Sequence, residues 1–320
     1  VLTIVSLHIN NCPFIWYITR KCKICIFLIM IQGCWGIMFN KKIAFIGTGV
    51  MGTSIVKHLL KAGYEVTLYN RTKEKAIPLI DLGATWADTP ALASENKDII
   101  FTMVGFPKDV EDVYFGDNGI FKTAKKGSTL IDMTTSKPSL AEKIYEAAKE
   151  KGIMSLDAPV SGGDIGARNG TLSIMVGGDE EVFKEMLPIF GLFGSNIVYQ
   201  GKAGSGQHTK MCNQLLITTN MIGVCESIAY GMKAGLDLNK VLESVSSGAA
   251  GSWSLSNLGP RILKGDLEPG FYIKHFIKDM KIALEEAEKM ELDLPGLHLA
   301  KEMYETLLNK GYGDLGTQAL

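Results

Sequence analysis

Between residues 43 and 199 short apolar runs alternate with longer stretches in which apolar residues return every three or four positions. The runs at 43–46, 66–69, 99–104, 129–133, 155–157, 172–176 and 196–199 predict strands. The stretches between them, among them 53–62, 139–151 and 180–190, predict helices. Strands and helices in this alternation bury their apolar faces as a doubly wound, mostly parallel sheet. After residues 201–206 the strand signal stops. Met211, Leu215, Ile222, Cys225 and Ala229 then fall close to one stripe of a long helix, and further helices are predicted at 239–246, 277–289 and 297–310. Leu216, Met221, Val224 and Ile228 lie beyond that stripe and predict more apolar surface than one partner layer covers. The expected organisation is an α/β domain at 38–200 and an all-helical domain at 201–320, joined by the long helix.

Residues 1–37 have a different composition, rich in Ile, Cys, Phe and Trp without helical or alternating order. A signal sequence or anchor is one reading, since Arg20, Lys21 and Lys23 precede the apolar residues 25–31. That stretch is short for a membrane span and no small-x-small cleavage site follows. A disordered extension is a second reading. The preferred one is an over-extended reading of the gene, with Met38 the natural start.

The chain has 320 residues, 46% of them hydrophobic, and a formal net charge of −1. This suffices for two domains and a large core, and gives no electrostatic case for nucleic acid or an anionic membrane. Of six cysteines only Cys212 and Cys225 lie beyond residue 34, which suggests reduced thiols and a cytoplasmic protein. No metal is expected. Cys22-x-x-Cys25 lacks a second pair, and the histidines show no His-x-x-x-His spacing.

The first strand runs into Gly47-Thr48-Gly49-Val50-Met51-Gly52 and a helix, which is a dinucleotide-binding turn in its strand–helix context. Gly47 allows the tight turn, Gly49 lets the backbone approach a pyrophosphate, and Gly52 lets helix and strand pack closely. The helix N-terminus offers N–H groups and a positive dipole end to the phosphates. The predicted α/β domain is therefore of Rossmann type. Its second strand ends at Asn70-Arg71-Thr72, where a ribose-reading residue belongs. A carboxylate there would favour NAD, whereas neutral Asn70 followed by Arg71 predicts NADP, with NAD the weaker alternative.

Three further motifs follow. Asp157-Ala-Pro-Val-Ser161-Gly162-Gly163 sets a hydroxyl beside two glycines, whose backbone N–H groups can form a nest for a carboxylate, although such a tripeptide by itself also reads as a plain turn. Residues 201–213 end in Lys210-Met-Cys-Asn213, two residues three apart that share a helix face. A partly buried lysine suits carbonyl chemistry: its ammonium can protonate a developing alkoxide, and its amine can take the proton back. Residues 271–280 contain Lys278-Asp-Met, with Lys274 and His275 close by.

In this order the motifs resemble those of the β-hydroxyacid dehydrogenases, the family that includes 3-hydroxyisobutyrate dehydrogenase and tartronate semialdehyde reductase. The resemblance runs from about residue 41 to residue 320. It implies that Ser161, Gly162 and Gly163 hold a substrate carboxylate, that Lys210 is the catalytic lysine, and that Asn213 orients the substrate hydroxyl. Many relatives place an asparagine four residues after the lysine, where this chain has Gln214. The resemblance also implies that Lys278 reaches toward the cofactor and that Val104, Gly105, Asp109 and Thr135 line the nicotinamide and its ribose. Trp253 either closes the substrate pocket or is a core aromatic.

The expected function is NADP-dependent hydride transfer to or from a short 3-hydroxy acid or its semialdehyde, such as 3-hydroxyisobutyrate, 4-hydroxybutyrate with succinic semialdehyde, or a glyoxylate-like compound. A homodimer or homotetramer is expected. The alternatives are a non-catalytic NADP-binding scaffold and an imine reductase. Lys210 argues against both.

Overall fold

The computed structural model describes residues 3–9, 12–18 and 41–320. Two units are distinct, residues 1–41 and residues 42–320. In the first, β1 (Thr3–Ile9) and β2 (Cys12–Ile18) pair antiparallel. The sequence pattern predicted no element there, because runs such as Phe14-Ile-Trp-Tyr lack alternation. Aromatic and β-branched residues nevertheless favour extended backbone. Met38 lies outside the described residues.

The second unit begins with β3 (Ile43–Ile46), α1 (Val50–Lys61), β4 (Val66–Tyr69), α2 (Ile77–Ile80), β5 (Thr85–Trp86), α3 (Pro90–Ser94), β6 (Ile99–Thr102) and α4 (Pro107–Phe115). It continues with β7 (Thr129–Asp132), α5 (Pro138–Glu150), β8 (Met154–Asp157), β9 (Val160–Ser161), α6 (Gly163–Asn169), β10 (Leu172–Gly178), α7 (Glu180–Phe190) and β11 (Gly194–Gly201). Then come α8 (Ser205–Lys233), α9 (Leu238–Ser246), α10 (Trp253–Leu263), α11 (Ile273–Lys289) and α12 (Pro295–Asn309). Strands β5 and β9 and helix α10 were not predicted, while α2, α3, α4 and α6 fall in the stretches between strands that were expected to be helical. The two strands span two residues each, too few to show a period.

The strand order is β11-β10-β8-β7-β6-β3-β4-β5, with β9 on β10. From β5 to β8 every pairing is parallel, while β10 runs antiparallel to β8 and parallel to β11. Every residue of β3, β6 and β7 is buried. Helices cover both faces of such strands, so they read as unbroken apolar runs rather than alternating ones. Chain direction across the sheet reverses between β3 and β6, and the ends of those strands open the crevice where ligands of this fold sit.

From Ser205 onward the regular elements are helical, apart from a single bridge between Tyr272 and Gly316. Met211, Met221, Ile222, Ile277, Met280 and Tyr304 belong to their common core. Helix α8 is long and apolar enough by composition to span a bilayer. It instead packs against β10, α10, α11 and α12 and buries the polar Gln207, Lys210, Gln214 and Thr218. Two expectations for α8 change here. Ala229 is exposed, so the apolar stripe drawn from sequence ends one turn early. Met221, Val224 and Ile228, expected on the outer surface, lie in the core, and only Leu216 of that group is exposed. The true inward face is polar in its first half, a pattern that apolar periodicity passes over.

Candidate active site between sheet and helices

The turn after β3 is shaped for a dinucleotide. Gly47 has φ +105°, and a Cβ there would lie 2.1 Å from the Met103 carbonyl oxygen. At Gly52 a Cβ would lie 2.2 Å from the Gly47 carbonyl oxygen, so α1 meets β3 too closely for a side chain. At Gly49 nothing lies within 4 Å of a Cβ position, which leaves open space at the N-terminus of α1. Val50 is exposed, Met51 half-buried, and the Thr48 hydroxyl is buried without a hydrogen-bond partner among the described residues. An open backbone cradle with an orphaned hydroxyl fits a nicotinamide dinucleotide.

Asn70 organises this turn from the end of β4. Its Oδ1 accepts from the Thr48 N–H at 3.0 Å, and its Nδ2 donates to the Thr72 carbonyl at 2.7 Å. Arg71 is 85% exposed at its side chain and lies 3.4 Å from Asp109, whose other oxygen accepts from the Phe106 N–H at 3.0 Å. Asp109 thus joins the Arg71 loop to the loop that follows β6. Val104 and Gly105 are half-buried in that loop, and the Val104 N–H donates to Thr134 Oγ1 at 3.0 Å.

The loop after β7 is the meeting point of sheet and helices. Lys278, from α11, donates to the Thr135 carbonyl at 2.7 Å and lies 2.9 Å from Asp279 Oδ1. Gln207, from α8, accepts from the Ser136 N–H at 2.9 Å and donates to the Thr134 carbonyl at 2.7 Å. Beneath it, burial raises the Asp132 carboxyl to about 7, against the hydrogen bonds from Thr134. His275, one turn before Lys278, packs its ring 5.3 Å from that of Phe106, and burial lowers its pKa.

Lys210 is 7% exposed, and no hydrogen bond reaches its ammonium from the described residues. Burial lowers its pKa to about 8, the Asp279 carboxylate opposes that shift, and Lys278 adds to it. A side chain in this state holds a proton near neutrality and releases it within a modest pH range.

A chain of side-chain bonds runs beside Lys210. Ser161 Oγ donates to Asn213 Oδ1 at 3.1 Å, Asn213 Nδ2 donates to Gln214 Oε1 at 2.7 Å, and Gln214 Nε2 donates to Asp279 Oδ2 at 2.5 Å. Gly162 and Gly163 have φ values of +128° and +62° and are exposed at the start of α6. The structure therefore brings Ser161, Asn213, Gln214, Asp279 and Lys278 into one network. Trp253 is 58% exposed at the first position of α10, so it is not a core aromatic.

Three residues of the site went unnoticed in the sequence. Gln207 and Asp279 lie inside quoted motifs, but a single amide or carboxylate carries no pattern. Asp157 accepts backbone N–H groups of Gly204 and Gln207 at 2.8 Å each and so fastens the start of α8 to β8. Only tertiary pairing reveals that role.

Comparison with known proteins agrees with this architecture. Residues 42–201 match a family model described as the NAD binding domain of 6-phosphogluconate dehydrogenase. Residues 204–320 match one described as NAD-binding of NADP-dependent 3-hydroxyisobutyrate dehydrogenase. The chain is 62% identical to an uncharacterized oxidoreductase of Bacillus subtilis (strain 168), over 88% of this chain and 98% of that protein. It is 40% identical to 2-hydroxy-3-oxopropionate reductase of Escherichia coli (strain K12), over 87% of this chain and 95% of that one. A structure of Mycobacterium tuberculosis 3-hydroxyisobutyrate dehydrogenase with L-serine superposes with a TM-score of 0.80 at 26% identity, covering 87% of this chain and 97% of that one. An imine reductase from Pseudomonas sp. superposes with a TM-score of 0.59 at 17% identity, over 87% of this chain and 97% of that one, a likeness of fold alone. The chain belongs to the β-hydroxyacid dehydrogenase family of NAD(P)-dependent oxidoreductases.

Proposed function

We propose that the protein is an NADP-dependent oxidoreductase that interconverts a short 3-hydroxy acid and its semialdehyde, with Lys210 as general acid and base. The observation that carries this reading is the Lys210 ammonium, buried and without a hydrogen bond from the described residues, one turn from Asn213, which pairs with Ser161. The named activities of the Escherichia coli reductase and the Mycobacterium tuberculosis dehydrogenase support the substrate class.

The nicotinamide of a dinucleotide held at the turn of residues 47–52 would supply or accept the hydride. In reduction, the Lys210 ammonium protonates the carbonyl oxygen as the carbonyl carbon gains hydride. In oxidation, the neutral amine takes the hydroxyl proton as hydride leaves the carbon. The Ser161 hydroxyl and the backbone N–H groups of Gly162 and Gly163 hold the substrate carboxylate, and Asn213 orients the substrate oxygen from its place beside Ser161. Thr135, Val104, Gly105 and Lys278 line the nicotinamide side, while Asn70, Arg71 and Thr72 receive the adenosine ribose and its 2′-phosphate.

A panel of C3 to C5 hydroxy acids and semialdehydes, assayed with NADPH and NADH, tests the reading. Pockets of this kind discriminate about 1–3 kcal/mol per methylene, so one chain length should stand out by roughly tenfold or more. Absence of turnover with every member, while the protein still binds cofactor, would favour the non-catalytic scaffold.

A further inference from the structure

We propose that Gln207 is a positioning residue that locks the segment Thr134-Thr135-Ser136 to the helix bearing Lys210, and thereby sets the spacing between hydride donor and proton donor. This inference rests on the hydride-transfer reading above.

The residue is fully buried and both ends of its amide are used, Oε1 by the Ser136 N–H and Nε2 by the Thr134 carbonyl. Its main-chain N–H is held by Asp157 Oδ2 at 2.8 Å. Gln207 is thus tied through its backbone to β8 and through its side chain to the loop after β7. Residues 207, 210 and 214 share one face of α8. Lys210 therefore stands between two buried amides, one bonded to the cofactor-side loop and the other to Asp279.

The chemistry requires an amide. One planar group must accept from an N–H and donate to a carbonyl two residues away, and a carboxamide carries an acceptor oxygen and a donor nitrogen side by side whatever the pH. Glutamic acid, ionised, would set an oxygen against the Thr134 carbonyl. Methionine would leave a donor and an acceptor unpaired in a dry site, at the cost of buried unsatisfied groups. The contact is also tight. A Cβ on neighbouring Gly206 would lie 2.4 Å from the Met175 carbonyl oxygen, so α8 approaches the sheet as closely as a glycine allows. Lys278 holds the Thr135 carbonyl from α11, so Gln207 and Lys278 together clamp the three residues 134–136.

The test compares Gln207→Glu and Gln207→Met with the unmutated protein in three measurements. Hydrogen exchange reads the Ser136 amide, fluorescence titration reads NADPH affinity, and steady-state kinetics with deuterated NADPH reads kcat and its isotope effect. We expect Ser136 exchange to accelerate about tenfold or more in both variants, and the NADPH Kd to stay within about threefold. The kcat should fall about 10- to 100-fold, the scale of a misplacement near one ångström, with a larger isotope effect as hydride transfer becomes limiting. Unchanged exchange, an unchanged kcat and isotope effect, or a Kd that rises in step with the loss of kcat would overturn the proposal. So would failure of both variants to fold, which would make Gln207 a folding residue. If the unmutated protein turns over no hydroxy acid, the functional reading fails by itself, and exchange with NADPH titration still decides whether Gln207 clamps the loop.

Discussion

The Gln214 side chain donates to the Asp279 carboxylate at 2.5 Å, and that carboxylate is the anion that opposes the burial of the Lys210 ammonium. The departure from the family's asparagine is thus absorbed inside the protein. The longer side chain links Asn213 to Asp279.

A pH prediction follows from that pair. Lys210 has its pKa near 8, so reductive kcat/KM falls as pH rises through about 8, and oxidative kcat/KM rises over the same range. Asp279→Asn keeps an acceptor for Gln214 but removes the negative charge. The lysine then holds its proton less tightly, and both breaks move to lower pH by about one unit. Initial rates between pH 6 and 10 in both directions check this, and breaks that stay in place would remove Asp279 from the account.

Cofactor choice is expected to rest on Arg71 and Asn70. A charge-assisted hydrogen bond contributes about 1.5–3 kcal/mol, so NADPH should exceed NADH by roughly 10- to 100-fold in kcat/KM. Arg71→Ala should erase most of that by raising KM for NADPH alone. Asn70→Asp should not simply convert the preference to NADH, because its second oxygen would face the Thr72 carbonyl that Asn70 now donates to at 2.7 Å. Equal efficiency with both cofactors in the unmutated protein would contradict this assignment.

Much of the first half was legible because its signals are local. Gly47, Gly49 and Gly52 mark a turn, the buried strands are unbroken apolar runs, and Lys210 and Asn213 share a face by spacing alone. What escaped was long-range or polar. Gln207 and Asp279 matter through partners 71 and 65 residues away. The inward face of α8 begins with Gln207, Lys210 and Gln214, so a search for apolar stripes placed Ala229 inside and Met221, Val224 and Ile228 outside.

The outer face of α8 carries its own expectation. Leu216 is 71% and Tyr230 76% exposed, with Gly223 midway between them on the same stripe. Large apolar side chains in line on one helix suit a helix from a second copy of the chain, and a dimer or larger assembly is expected. Light scattering at micromolar concentration should give at least twice the chain mass, and Leu216→Glu with Tyr230→Glu should reduce it. A monomer before mutation would refute the expectation.

The most direct test of the whole account is a comparison of the unmutated protein with Lys210→Ala on the best semialdehyde of the panel. The account predicts that kcat falls about 10²- to 10⁴-fold, the usual loss for a general acid, while NADPH Kd by fluorescence titration changes little, because the dinucleotide turn of residues 47–52 lies on the sheet and not on α8. A variant that keeps more than about a third of the original kcat would contradict the assignment of Lys210, since removal of a general acid costs far more than that.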